Sequence, residues 1–90
     1  MPECFYKKTF FKDLSRIPNP AQKRIEELVF EKIPESTDIF SDFDVSRMKG
    51  MPGYFRIRIG MYRIGFELTD EGSIIFYRVK SREEIYSVFP

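Results

Sequence analysis

Between residues 54 and 68, apolar and polar positions alternate with a period of two: Tyr54-Phe55-Arg56-Ile57-Arg58-Ile59, then Gly60-Met61, then Tyr62-Arg63-Ile64-Gly65-Phe66-Glu67-Leu68. Successive side chains of a strand point to opposite faces, so this spacing predicts two strands, 54–59 and 62–68, joined tightly at Gly60-Met61. Phe55, Ile57, Ile59, Ile64, Phe66 and Leu68 then turn towards a core, and Arg56, Arg58 and Arg63 turn away from it. Further strands are predicted over 4–7, 45–49 and 73–80, with turns by composition at Gly50-Met51-Pro52-Gly53 and Thr69 to Gly72. Elsewhere the apolar spacing is helical. Phe10, Phe11, Leu14 and Ile17 share one face of a short helix, with Thr9 as a candidate cap. Asn19, Pro20 and Gln22 have the spacing of a capped helix start, and Ala21, Ile25, Leu28, Val29 and Ile33 continue its stripe until Pro34. Glu35 to Asp44 is acidic, with Ile39, Phe40 and Phe43 as anchors, and predicts a loop. Arg82 to Val88 predicts a final helical turn or short helix. Together these elements predict a single α+β domain over residues 1–90: a twisted antiparallel β-sheet packed on an N-terminal helix hairpin, with a short C-terminal helix. One face of that sheet is expected to stay open.

Composition narrows the chemistry. A hydrophobic content of 42%, with 17% aromatic residues, is enough to build a core and excludes a disordered body. The single cysteine excludes an intrachain disulfide framework, and the lack of histidine argues against zinc, haem and Cys/His nucleophilic sites. No cofactor is expected. The first ten residues have no apolar run of signal-peptide length, and no segment approaches the roughly 18 apolar residues of a membrane span, so a reducing cytoplasm is the expected setting. Net charge is +1, yet residues 46–90 carry eight Lys/Arg against five Asp/Glu while residues 1–45 carry seven against nine. The basic surface therefore gathers where strands are predicted.

The open face should receive Arg56, Arg58 and Arg63, with Arg78, Lys80 and Arg82 near the same sheet and Tyr86 one helical turn beyond Arg82. Guanidinium forks match phosphate geometry and stabilise the charge of a pentacoordinate phosphorus, while a tyrosine can stack on a base or bond a phosphate oxygen. RNA can be cleaved by its own 2′-hydroxyl, provided that a protein aligns it and offsets charge. The competing reading is a solvated outer face of an amphipathic sheet. Asp42 and Asp44 are read as a solvated acidic loop rather than a paired-carboxylate base. Phe5, Tyr6, Phe10 and Phe11 are read as core. No Gly-rich phosphate loop, metal-ligand cluster or nucleophile elbow occurs.

The run Met48-Lys49-Gly50, the hairpin from Tyr54 to Ile64 and the stretch Arg78-Val79-Lys80-Ser81-Arg82-Glu83-Glu84-Ile85-Tyr86 resemble the RelE/ParE toxin superfamily of toxin–antitoxin modules. Lys8 to Leu14 and the helix from Pro20 to Lys32 are similar to that family as well. The resemblance covers essentially the whole chain and implies the RelE-like fold, a cognate antitoxin as partner, and ribosome-dependent cleavage of mRNA in the A site, in contact with rRNA and without a membrane. It implies catalytic roles for Arg58, Arg63, Arg82 and Tyr86, and RNA-binding roles for Arg56, Arg78, Lys80 and Lys49. Lys80 and Arg82 compete for the C-terminal cationic position, with Arg82 favoured. Two departures matter. Arg56 and Arg58 stand where some members have lysines, and Ser81 replaces a histidine often found there, which favours electrostatic positioning over a general-base role for these cations. The same superfamily also implies two alternatives: a ParE-like, non-catalytic inhibitor of DNA gyrase, and an inactive module that only binds an antitoxin.

Overall fold

A computed structural model describes residues 1–90. Strands β1 (Cys4–Tyr6), β2 (Val45–Arg47), β3 (Tyr54–Ile59), β4 (Tyr62–Leu68) and β5 (Ile74–Ser81) form one sheet in the order β1-β5-β4-β3-β2. The pairs β2/β3, β3/β4 and β4/β5 are antiparallel, whereas β1 runs parallel to β5, so the sheet is mixed rather than purely antiparallel. No hairpin links β1 to β5, and nothing local therefore dictates an antiparallel direction. Gly60, at φ 59°, takes the first central position of the β3–β4 turn, which a two-residue type II′ hairpin requires.

Helix α1 (Lys8–Ser15) follows β1, and α2 (Ala21–Glu27) runs through a π-helical turn (Leu28–Lys32) into α3 (Ile33–Glu35). In the wider turn Ile33 N–H donates to the Leu28 carbonyl, and Pro34, which has no N–H, follows without ending the helix. Two expected caps are absent. Thr9 lies inside α1 and donates its hydroxyl to the Tyr77 carbonyl at 3.0 Å. Asn19 precedes a cis bond to Pro20 and makes no cap, while Gln22 Nε2 reaches back to the Leu14 carbonyl at 3.0 Å, satisfying the end of α1. The predicted acidic loop contains a short helix, α4 (Ile39–Asp42), because the Asp38 carboxylate accepts the Phe40 and Ser41 N–H groups. Phe40 is half exposed, its ring edge-on to Phe55, and it is a weaker anchor than buried Ile39.

The main core joins Phe10, Leu14, Ile25, Leu28, Val29 and Ile33 of the helical segments to Phe55, Ile57, Ile64, Phe66, Ile74, Phe76 and Val79 of the sheet. Burying each of these large side chains contributes about 1.5–3 kcal/mol. In β5 the core residues fall at 74, 76 and then 79, because a bulge opposite Gly65/Phe66 inserts Tyr77 as an extra residue. Without it, Arg78 would enter the core.

Beyond Phe76 the outer edge of β5 has no partner strand, and α1 closes it. Buried Asp13 accepts the Val79 N–H at 3.2 Å and a two-pronged bond from Arg78, Nε at 2.7 Å and Nη2 at 3.1 Å, with Lys80 Nζ at 3.4 Å. Burial works against the Asp13 charge, but the bonds from Arg78 and Val79 and the charges of Arg78 and Lys80 outweigh it and hold the carboxyl below its ordinary pKa. A depressed carboxylate contributes stability above its unfolded pKa and loses it as pH falls through the folded value. Asp13→Asn is therefore expected to destabilise the fold by about 2–3 kcal/mol at pH 7. It should also remove part of the wild-type loss of stability below about pH 4, as measured by urea unfolding at several pH values.

The far face of the sheet is only partly open. Helix α5 (Ile85–Val88) and Phe89 fold back over it, and Met48, Ile85 and Phe89 form a second small core with Tyr54 and Tyr77. The Phe89 ring lies against the Gly65 backbone, so that a Cβ at Gly65 would stand 2.5 Å from Phe89 Cγ. Tyr77 donates to Glu67 at 2.8 Å beside this cluster, and that bond, with burial, raises its pKa. This second core was not anticipated from the sequence.

Candidate functional site

Beside the second core, the same face holds a hollow of about 360 Å³ lined by Asp44, Ser46, Arg56, Arg58, Arg63, Arg82 and Tyr86. Strand register assembles most of it. On β2 and β3, Ser46 pairs with Arg56, and one step back Arg58 N–H donates to the Asp44 carbonyl at 2.9 Å, which sets Asp44 beside Arg58. On β3 and β4, Arg58 pairs directly with Arg63. Side chains directly opposite on one face have Cβ atoms about 4.5–5.5 Å apart, so Asp44, Arg58 and Arg63 form a row across the sheet.

The last two members come from the chain after β5. Arg82 N–H donates to the Met61 carbonyl at 3.0 Å, tying the turn to the tip of the β3–β4 hairpin. Ser81 Oγ donates to Glu84 Oε1 at 2.9 Å and accepts the Glu84 N–H, fixing that turn. Tyr86 then stands with its ring 5.2 Å from Arg56 Cζ, a cation–π contact, and remains 57% exposed. Its hydroxyl is free to meet a ligand.

The arginines are positioned without being neutralised. Arg63 Nη1 donates to the Gly60 and Tyr62 carbonyls at 3.1 and 3.0 Å, and Arg56 Nη1 to the Arg47 carbonyl at 3.2 Å. Arg63 keeps its other N–H groups for a ligand. The ion pairs of this protein all belong to Asp13, with Arg78 and Lys80. Arg58 and Arg63 thus face each other with no carboxylate at ion-pair distance, an arrangement that costs roughly 0.2–1 kcal/mol. A face needed only for solvation would gain by interleaving opposite charges, so the unneutralised cluster reads as an anion site.

Of the residues singled out from the sequence, the structure brings together Arg56, Arg58, Arg63, Arg82 and Tyr86. Arg78 and Lys80 are turned to Asp13. Lys49 lies on the turn between β2 and β3, lining a separate hollow with Met51 and Pro52. At the C-terminal cationic position it is therefore Arg82, not Lys80, that reaches the hollow. Sequence reading set Asp44 aside as part of a solvated acidic loop and did not single out Ser46, yet both line the hollow. Their signal was the two-residue spacing from Asp44 to Ser46 at the mouth of a strand, which puts both on the face opposite Val45. No group of three His, Cys, Asp or Glu side chains is placed to hold a metal ion. No helix is long and apolar enough to cross a membrane.

Comparison with known proteins bears on the family and the fold. Residues 5–86 match the family model of the ParE toxin of type II toxin–antitoxin systems, parDE. Toxin RelE3 of Methanocaldococcus jannaschii is 42% identical over 89 residues, spanning 98% of this chain and 99% of that protein. The crystal structure of the RelB–RelE antitoxin–toxin complex from Methanococcus jannaschii superposes with a TM-score of 0.79 at 41% identity, covering 96% of this chain and 99% of that one. The archaeal RelE–RelB complex from Pyrococcus horikoshii OT3 matches with a TM-score of 0.69 at 25% identity, covering 90% and 94%.

Proposed function

The chain belongs to the RelE/ParE superfamily of toxins, and from that premise we propose that it is the toxin of a type II toxin–antitoxin pair and an endoribonuclease that cleaves mRNA in the ribosomal A site. The observation that carries this reading is the hollow in which Arg56, Arg58, Arg63 and Arg82 stand unneutralised beside the exposed ring of Tyr86. Its chemistry suits a bent, singly stranded RNA. Arg63 and Arg82 hold the scissile phosphate and meet the charge that develops on its oxygens, Arg56 and Arg58 hold neighbouring phosphates, and Tyr86 stacks on a base or donates to a phosphate oxygen. The nucleophile is the 2′-hydroxyl of the RNA itself, so cleavage leaves a cyclic phosphate and a 5′-hydroxyl and uses no metal or other cofactor. By analogy with the RelB-bound relatives, a cognate antitoxin covers the cationic hollow or displaces α5, and the toxin acts in the cytoplasm.

A hollow this open positions only part of the substrate, and the ribosome supplies the rest of the alignment. Purified toxin should therefore cleave free RNA slowly. The test is to map mRNA ends in a translation reaction with wild type and Tyr86→Phe. Wild type is expected to cut within codons. The variant keeps the ring against Arg56 but loses the hydroxyl, and should cut about 10- to 100-fold more slowly. The match to a ParE family model favours a second reading, inhibition of DNA gyrase without catalysis. Intact mRNA together with inhibited supercoiling would establish that reading instead.

A further inference from the structure

Resting on the nuclease reading, we propose that Asp44 is the group that takes the proton from the attacking 2′-hydroxyl. The cleavage reaction needs a proton acceptor near the phosphate, and the hollow has few. Its arginines are guanidiniums, which do not give up a proton in proteins, and the hydroxyls of Ser46 and Tyr86 carry protons of their own. Lys80 is turned away to Asp13, and Lys49 lines a different hollow. Asp44 is the carboxylate on the wall of this one.

Its placement suits the role. The bond from Arg58 N–H to the Asp44 carbonyl, at 2.9 Å, fixes the backbone at the entrance of β2 and puts the residue at the end of the row that continues through Arg58 to Arg63. The residue is exposed, and no cation lies within ion-pair distance of its carboxylate. It is therefore neither buried as a structural partner nor consumed by a neighbouring arginine. Asp42, by contrast, accepts the Ser36 hydroxyl at 2.7 Å and serves the loop. The role requires the RNA to lie along this row, with the scissile phosphate at Arg63 and the ribose 2′-hydroxyl turned towards Asp44.

The Asp44 carboxylate takes the 2′-hydroxyl proton as the O2′–P bond forms. The P–O5′ bond breaks, and the departing 5′-oxygen takes a proton from water. The hydroxide so formed removes the proton from Asp44, restoring the carboxylate.

The test is single-turnover cleavage of ribosome-bound mRNA by saturating wild type, Asp44→Asn and Asp44→Glu, beside binding to the same complex carrying a 2′-deoxynucleotide at the cleaved position. Asp44→Asn should cleave about 10²- to 10⁴-fold more slowly, bind the deoxy complex as tightly as wild type or more tightly, since a negative charge has left a cationic hollow, and keep the wild-type Tm. Asp44→Glu should recover part of the rate. Wild-type cleavage by Asp44→Asn, or loss of binding in parallel with rate, overturns the assignment of Asp44 and leaves the nuclease reading standing. Failure of wild type itself to cleave overturns both.

Discussion

Replacing Arg63 by alanine is expected to slow mRNA cleavage by about 10²-fold or more, the loss typical of one preorganised donor at a developing oxyanion, while changing the stability of the fold by only about 1 kcal/mol or less. Arg63 is held from behind by the Gly60 and Tyr62 carbonyls, so its fork is aimed before any ligand arrives. It also faces Arg58 directly, and removing one of two opposed like charges relieves a repulsion of roughly 0.2–1 kcal/mol, which offsets the loss of those two bonds at the exposed hairpin tip. A large loss of rate with little change in stability separates function from structure in one variant. Arg63→Lys keeps the charge without the fork and should fall between alanine and wild type. Primer-extension mapping of cleavage, with thermal unfolding of the same samples, measures both quantities. Wild-type cleavage by Arg63→Ala would remove Arg63 from the site.

Gly65→Ala is expected to destabilise this protein strongly, although it adds a single methyl group. The backbone of Gly65 is ordinary strand and tolerates alanine, but the new Cβ would overlap the Phe89 ring. Phe89 is 3% exposed and closes the second core with Ile85, Met48, Tyr54 and Tyr77, so it has nowhere to retreat without lifting the C-terminal segment. Overpacking of this kind costs about 1–3 kcal/mol, which lowers Tm by roughly 5–20 °C in a domain of this size. Activity should fall further than stability does, because Tyr86 lies between Ile85 and Phe89, and Arg82 three residues before Ile85. Phe89→Ala loses the ring outright and should cost about 3–5 kcal/mol. The double variant Gly65→Ala, Phe89→Ala is expected to be no less stable than Phe89→Ala alone, since the clash no longer exists. Additive losses by calorimetry would show that the Gly65–Phe89 contact is not the cause.

The elements were largely legible along the chain because they rest on local periodicity. A two-residue spacing marks β3 and β4, and a helical stripe marks α1 and α2. Where the reading failed, a distant partner had changed the local outcome. Thr9 and Gln22 look like capping residues, but Thr9 bonds the edge of β5 and Gln22 the end of α1. The bulge at Tyr77 was written in the spacing of Ile74, Phe76 and Val79, yet only the pairing of β5 with β4 makes that spacing a bulge rather than a strand end.

The site divides in the same way. Sequence alone determined that Arg56, Arg58 and Arg63 share a face, because the side-chain period of a strand is fixed by its backbone geometry. It also determined that no histidine takes part. Tertiary structure decided which cations stay free. Asp13, far away in the chain, takes Arg78 and Lys80, whereas the hairpin tip holds the Arg82 turn and Gly65 seats Phe89, so that Arg82 and Tyr86 arrive at the hollow. It also brought Asp44 beside Arg58, since a register between strands is set by the packing of both, not by the pattern of either one.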